Sequence, residues 1–133
     1  MVVYDTYAWV EYFRGGAKGS RVRNLLKGGG YTPSVVLAEL ARKYLREEFD
    51  EEAVLKRLKF MEVKTVIVNI DSEIALAAAK LYLELNRHAE AEDLRTPSLA
   101  DALVYATAKR LNDKLVTGDK LFKKLPNIIY IRD

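Results

Sequence analysis

Four acidic residues carry the chemistry this chain can offer: Asp5, Glu39, Asp101 and Asp119. Each falls where a strand is expected to end or a helix to begin, and the last stands in Val116-Thr117-Gly118-Asp119. Crowded together at neutral pH, carboxylates repel one another and do not all stay ionised without compensation. A divalent cation removes the conflict. Magnesium takes about six oxygen ligands and keeps several waters, so an all-acid pocket suits one or two Mg or Mn ions. The chemistry that follows is phosphodiester hydrolysis, in which the ion activates water and steadies the non-bridging and leaving oxygens. No rival constellation completes a reaction. The chain has no cysteine, which excludes structural disulfides, Cys-based zinc sites and thiol nucleophiles. Gly28-Gly29-Gly30 lacks the glycine spacing and the following Lys-Ser or Lys-Thr of a phosphate-binding loop.

Each acid also has a local reading. Asp5 opens Thr6-Tyr7-Ala8-Trp9 and serves equally as a helix N-cap. Glu39 precedes Lys43 by four residues, an ordinary surface pair that spacing alone favours. Asp101 interrupts the apolar run Leu99-Ala100-Asp101-Ala102-Leu103-Val104, where an isolated carboxylate is costly; yet Ser98-x-x-Asp101 matches a capping box that satisfies it. Asp119 follows Gly118, expected to take a backbone conformation closed to other residues, with the Thr117 hydroxyl nearby. The same Gly-Asp pair reads as a plain turn before Lys120-Leu121-Phe122. Only the set is unusual.

The elements that must position these acids alternate in type. Short β-branched runs are expected as strands at Val2 to Tyr4, Tyr31-Thr32, Val66 to Asn69, Lys114 to Thr117 and Ile128 to Ile131. Helical periodicity spans about Thr6 to Phe13, Gly19 to Lys27, Ser34 to Phe49, Glu51 to Met61, Ser72 to Glu90 and Ser98 to Asn112, with a short helix after Asp119. Alternation of this kind builds a mostly parallel sheet of four or five strands between helical layers, an α/β fold in three layers (α/β/α). Val66-Ile67-Val68 and Ile128-Ile129 are apolar on consecutive residues, as strands covered on both faces would be. In such a sheet ligands bind beyond the carboxyl ends of the strands, where a central first strand would deliver Asp5. Asn86 to Thr96 is polar, acidic and followed by Pro97; it reads as the frayed end of a long helix and then a surface loop.

At 133 residues, half of them hydrophobic, residues 1–133 form one domain with a sizeable core. The absence of cysteine, of a basic leader and of a membrane-length apolar run predicts a soluble cytoplasmic protein. A charged fraction of 31% without glutamine or cysteine fits a heat-adapted source. The net charge of +3 favours a polyanion only slightly. Lys18, Arg21, Arg23 and Lys27, with Lys120, Lys123 and Lys124, read as a solvated face sooner than as phosphate contacts. His88, four residues after Glu84, reads as a helix-surface pair, and Trp9, Tyr12 and Phe13 as core or dimer contact.

At its four acids the chain resembles the PIN domain, and most closely the small VapC-like toxins of toxin-antitoxin modules. The likeness is carried by Val3-Tyr4-Asp5-Thr6, Ser34-x-x-x-x-Glu39-Leu40, Ser98-x-x-Asp101-Ala102-x-x-Tyr105-Ala106 and Leu115-Val116-Thr117-Gly118-Asp119-x-x-Phe122. No one of these motifs is specific; their order and spacing over nearly the whole chain are. The resemblance implies a ribonuclease in which Asp5, Glu39, Asp101 and Asp119 bind Mg2+ or Mn2+ and Thr117 helps order the acids and water. It further implies a homodimer, and a small antitoxin that blocks the acidic pocket, often with a basic side chain. Tyr7 departs from the family, where a small residue is usual, so the pocket has its own local shape. A PIN-like protein that binds RNA or a partner without turnover is the alternative, although all four acids are present. A phospho-receiver fits poorly at Tyr4-Asp5-Thr6 and at Val68-Asn69-Ile70-Asp71, and a haloacid-type phosphatase would need a second acid where Tyr7 stands.

Overall fold

A computed structural model describes residues 1–132. Five strands form one sheet: β1 (Val2–Tyr4), β2 (Tyr31–Pro33), β3 (Val66–Val68), β4 (Lys114–Thr117) and β5 (Ile128–Tyr130). Their order is β3-β2-β1-β4-β5 and every pairing is parallel. The chain therefore builds outward from β1 to β3, then crosses back to place β4 on the other side of β1. That reversal puts the switch point of the topology between β1 and β4, with Val3 facing Leu115 and Tyr4 facing Val116 across the pair.

The central strands are covered on both sides. Consecutive strand residues point to opposite faces, and Val3, Tyr4, Leu115 and Val116 are all fully buried. The helices that enclose them are α1 (Thr6–Arg14), α2 (Gly16–Leu26), α3 (Ser34–Arg46), α4 (Glu51–Lys64), α5 (Ser72–Ala91) and α6 (Leu99–Arg110), with one 3₁₀ turn at Lys120–Phe122. The expected three-layer α/β/α architecture is the observed one. The expectation of full cover fails at the margins. β3 and β5 are edge strands, and Val66 is 57% exposed although its run is wholly apolar. An unbroken apolar triplet reports burial of a segment, not which edge it occupies.

Local chemistry explains where the helices begin. Asp50 and Asp71 cap α4 and α5 through hydrogen bonds from the Ala53 and Ile74 amides, at 2.7 and 2.8 Å. α5 buries Ile74, Ala78, Leu81, Leu85 and Ala89, a stripe at helical spacing that packs on α6. α2 starts three residues earlier than its periodicity suggests, because Gly15 and Gly16 both take positive φ (82° and 80°) and turn the chain within two residues. The helix at Asn86 to Ala91 is not frayed; it runs unbroken before the loop 92–98. Trp9 lies at the centre of an aromatic cluster with Tyr4, Tyr12, Phe13 and Phe60, and donates its indole N–H to Thr32 Oγ1 at 3.0 Å. It belongs to the core. Among the described residues no helix is long and apolar enough to cross a membrane.

Candidate active site

The carboxyl ends of β1 and β4, with the first turns of α3 and α6, surround a cavity of about 340 Å³. Asp5, Glu39, Asp101 and Asp119 all line it. Residues separated by up to 114 positions thus share one space, because each sits one or two residues beyond a strand or in the opening turns of a helix directed at the same sheet edge.

For most of the acids the local and the convergent reading hold together, since each carboxylate has two oxygens. Asp5 caps α1, its Oδ1 accepting the Ala8 amide at 2.8 Å. Asp101 completes the capping box: its Oδ2 accepts from the Ser98 amide at 2.7 Å and from the Ser98 hydroxyl at 3.0 Å. Asp119 caps the 3₁₀ turn, its Oδ1 accepting from the Leu121 amide at 2.9 Å. Glu39 departs from the surface pair that spacing favours. Its Oε1 accepts the Thr6 hydroxyl at 2.7 Å, while Lys43 turns to Glu47 at 2.6 Å. One oxygen of each acid is pinned by its neighbourhood and the carboxylate is thereby aimed.

Thr117 is fully buried between the two strand ends. Its Oγ1 accepts the Asp119 amide at 3.0 Å, and its hydroxyl favours the charged form of the Asp5 carboxyl. Gly118 does not adopt the left-handed backbone expected of it; it is absent from the positive-φ glycines. The reason for glycine is steric, because any Cβ there would run into the Tyr7 ring. Tyr7, the departure from the family pattern, and Gly118 therefore specify each other.

Electrostatics record the crowding. Burial pushes the Asp5 carboxyl up from 3.8 to about 7, against hydrogen bonds from Thr117 and Ala8 that favour the charged form; Asp119 and Glu39 raise it further by repulsion. Burial likewise raises Glu39, the Thr6 hydroxyl opposes the rise, and the Asp101 charge adds to it. These acids feel one another.

Three residues of the cavity were not anticipated. Arg95, in the loop 92–98, forks onto Asp101 with Nη1 at 2.8 Å from Oδ2 and Nη2 at 2.9 Å from Oδ1. It also reaches Asp119 Oδ2 with Nε at 3.1 Å and Nη2 at 2.5 Å. Both carboxylates hold its guanidinium still more firmly protonated than usual. Glu11 is a fifth acid on the wall, buried and neutralised by Arg14 at 3.1 Å and Lys18 at 3.6 Å. Thr6, the third, is the donor that fixes Glu39. Nothing periodic marks Arg95; its only sequence signal is a lone guanidinium three residues before Ser98 in an otherwise acidic stretch. His88 faces the Leu121 carbonyl at 3.1 Å instead of Glu84, and stands outside this cavity.

The donor set is chemically that of a hard divalent cation, being all oxygen and anionic. As the side chains stand, no three acids among the described residues close on a single point, and two of the four are engaged by Arg95. The residues fit the group by type; the hold on them is presently an internal one.

A family model described as the PIN domain matches residues 2–128. A toxin-antitoxin complex from Klebsiella pneumoniae contains a chain 18% identical, with a TM-score of 0.74, covering 100% of this chain and 99% of that one. Mycobacterium tuberculosis VapC20, described as a toxin cleaving the sarcin-ricin loop, is 17% identical with a TM-score of 0.73, and each chain is covered in full. VapBC2 of Rickettsia felis, solved on a fragment of promoter DNA, is 24% identical with a TM-score of 0.66, covering 98% of this chain and 97% of that one. At such identities the likeness is one of fold. No curated protein matches by sequence.

Proposed function

The chain belongs to the PIN domain family, and on that footing we propose that it is a Mg2+- or Mn2+-dependent endoribonuclease, the toxin of a toxin-antitoxin module. The observation that carries this reading is the convergence of Asp5, Glu39, Asp101 and Asp119 on one cavity at the switch point, close enough for the charges of Asp119 and Glu39 to raise Asp5. These four residues would hold the ion or ions. Bound there, a divalent cation supplies an activated water and neutralises charge on the scissile phosphate. The protein supplies the rest. Thr117 fixes the turn at the Asp119 amide and favours the charged form of Asp5, and Thr6 holds Glu39. Arg14 and Lys43 also line the cavity wall, each already paired with a carboxylate, Glu11 and Glu47. A small antitoxin presenting a basic group to the same cavity, and a homodimer, complete the proposal; the likeness to chains of toxin-antitoxin complexes supports the antitoxin partner.

The test incubates purified protein with labelled structured and unstructured RNAs, with Mg2+, with Mn2+ and with chelator, beside Asp5→Asn and Asp101→Asn. Cleavage that needs the ion and disappears in both folded variants is the expected result. Equal cleavage by parent and variants removes the assigned site. RNA bound without cleavage under every condition would favour the non-catalytic alternative.

A further inference from the structure

Arg95 sits on the oxygens that the helix caps leave over. In Asp119, Oδ1 is taken by the Leu121 amide and Oδ2 by Arg95 alone. In Asp101, Oδ2 is shared with Ser98, whereas Oδ1 accepts only from Arg95. A planar guanidinium with a fork of donors matches carboxylate pairs well, and here one fork spans two acids. Its removal would leave those two oxygens without a donor in a cavity shared with the buried Asp5 and the partly buried Glu39.

The side chain is not locked in. Arg95 is exposed, with a side-chain exposure of 46%, and comes from a loop instead of a helix or strand. It also walls a second cavity of about 430 Å³, lined by Tyr7, Asp93, Leu94, Lys120, Leu121 and Arg132 together with Asp119. There is room beside the acids for the guanidinium to leave them without repacking the core.

We propose that Arg95 is an internal counter-cation of the acidic cup, holding Asp101 and Asp119 in the metal-free protein and competing with the divalent ion for the same oxygens. This rests on the metal-site reading above and adds a term to it: the affinity of the cup for its ion is set by a residue that is not a ligand. Arg95 acts through the acids, so it is a positioning residue.

The experiment titrates Mn2+ into chelator-treated, dialysed full-length parent, Arg95→Gln, Arg95→Lys and Asp5→Asn, following free Mn2+ by its paramagnetic resonance signal. Arg95→Gln is expected to bind roughly tenfold more tightly than the parent, the order of effect of one partly exposed, forked carboxylate pair. Arg95→Lys, a point charge without the fork, should fall between them. In chelator Arg95→Gln should melt below the parent, and saturating Mn2+ should raise its melting temperature by more. Equal or weaker Mn2+ binding by a folded Arg95→Gln overturns the competition and leaves the acid site standing. No binding by parent or Arg95→Gln, or undiminished binding by Asp5→Asn, sinks the metal site together with this inference.

Discussion

Asp5→Asn should make the metal-free protein more stable above neutral pH. Asp5 is only 6% exposed, and its carboxyl is pushed from 3.8 to about 7, mainly by burial. In the folded state it therefore binds its proton more tightly than in the unfolded chain. Its protonated form contributes stability that is fully present below about pH 4 and lost as the pH rises through about 7. A difference of about 3 pH units corresponds to about 4 kcal/mol at pH 8, an upper bound given relaxation and water entry around the ionised group. Asparagine keeps the cap, since its amide oxygen can accept the Ala8 amide, and it carries no charge to bury. The variant should exceed the parent by about 2 to 4 kcal/mol at pH 8, with the gap shrinking by about 1.5 to 3 kcal/mol on going to pH 5. Urea denaturation in chelator, followed by the fluorescence of the single, fully buried Trp9, measures both values directly. Saturating Mn2+ should then reverse the order, because binding energy accrues to the parent. A variant no more stable than the parent at pH 8, or a gap that ignores pH, would refute the picture of a strained acidic cup.

Gly118→Ala forces a methyl group into the Tyr7 ring and should cost about 1 to 3 kcal/mol. Adding Tyr7→Ser should recover most of that loss, which a double-mutant cycle of melting curves would show as a coupling of the same size. Thr117→Val removes the acceptor for the buried turn at the Asp119 amide and should destabilise by about 1 to 3 kcal/mol. RNA cleavage should fall further than stability explains, and Thr117→Ser, which keeps the hydroxyl, should restore it. A Thr117→Val protein that cleaves normally would show that the hydroxyl does not organise the acids.

How much of this was legible beforehand depends on the range of the interaction. Asp101 could be read as a capping box because Ser98 lies three residues away, and the structure forms both bonds of that box. The spacing of Glu39 points to Lys43 for the same reason, whereas its actual partner, Thr6, is 33 positions distant. The sequence around Gly118 points to backbone freedom, whereas the ring of Tyr7 decides the matter across a gap of 111 positions.

The residues in order therefore determined the alternation of strand and helix, the parallel sheet and the caps at Asp5 and Asp101, since periodicity and capping are short-range and each is written within a few neighbours. Tertiary structure alone decided which strands became edges, which oxygen of each carboxylate remained over, and that a guanidinium from the loop before α6 lies across two of them. Those facts depend on strand order and on charges meeting through space. Coulomb attraction between Arg95 and Asp119 acts over ångströms, and a separation of 24 positions leaves no trace of it in any local pattern.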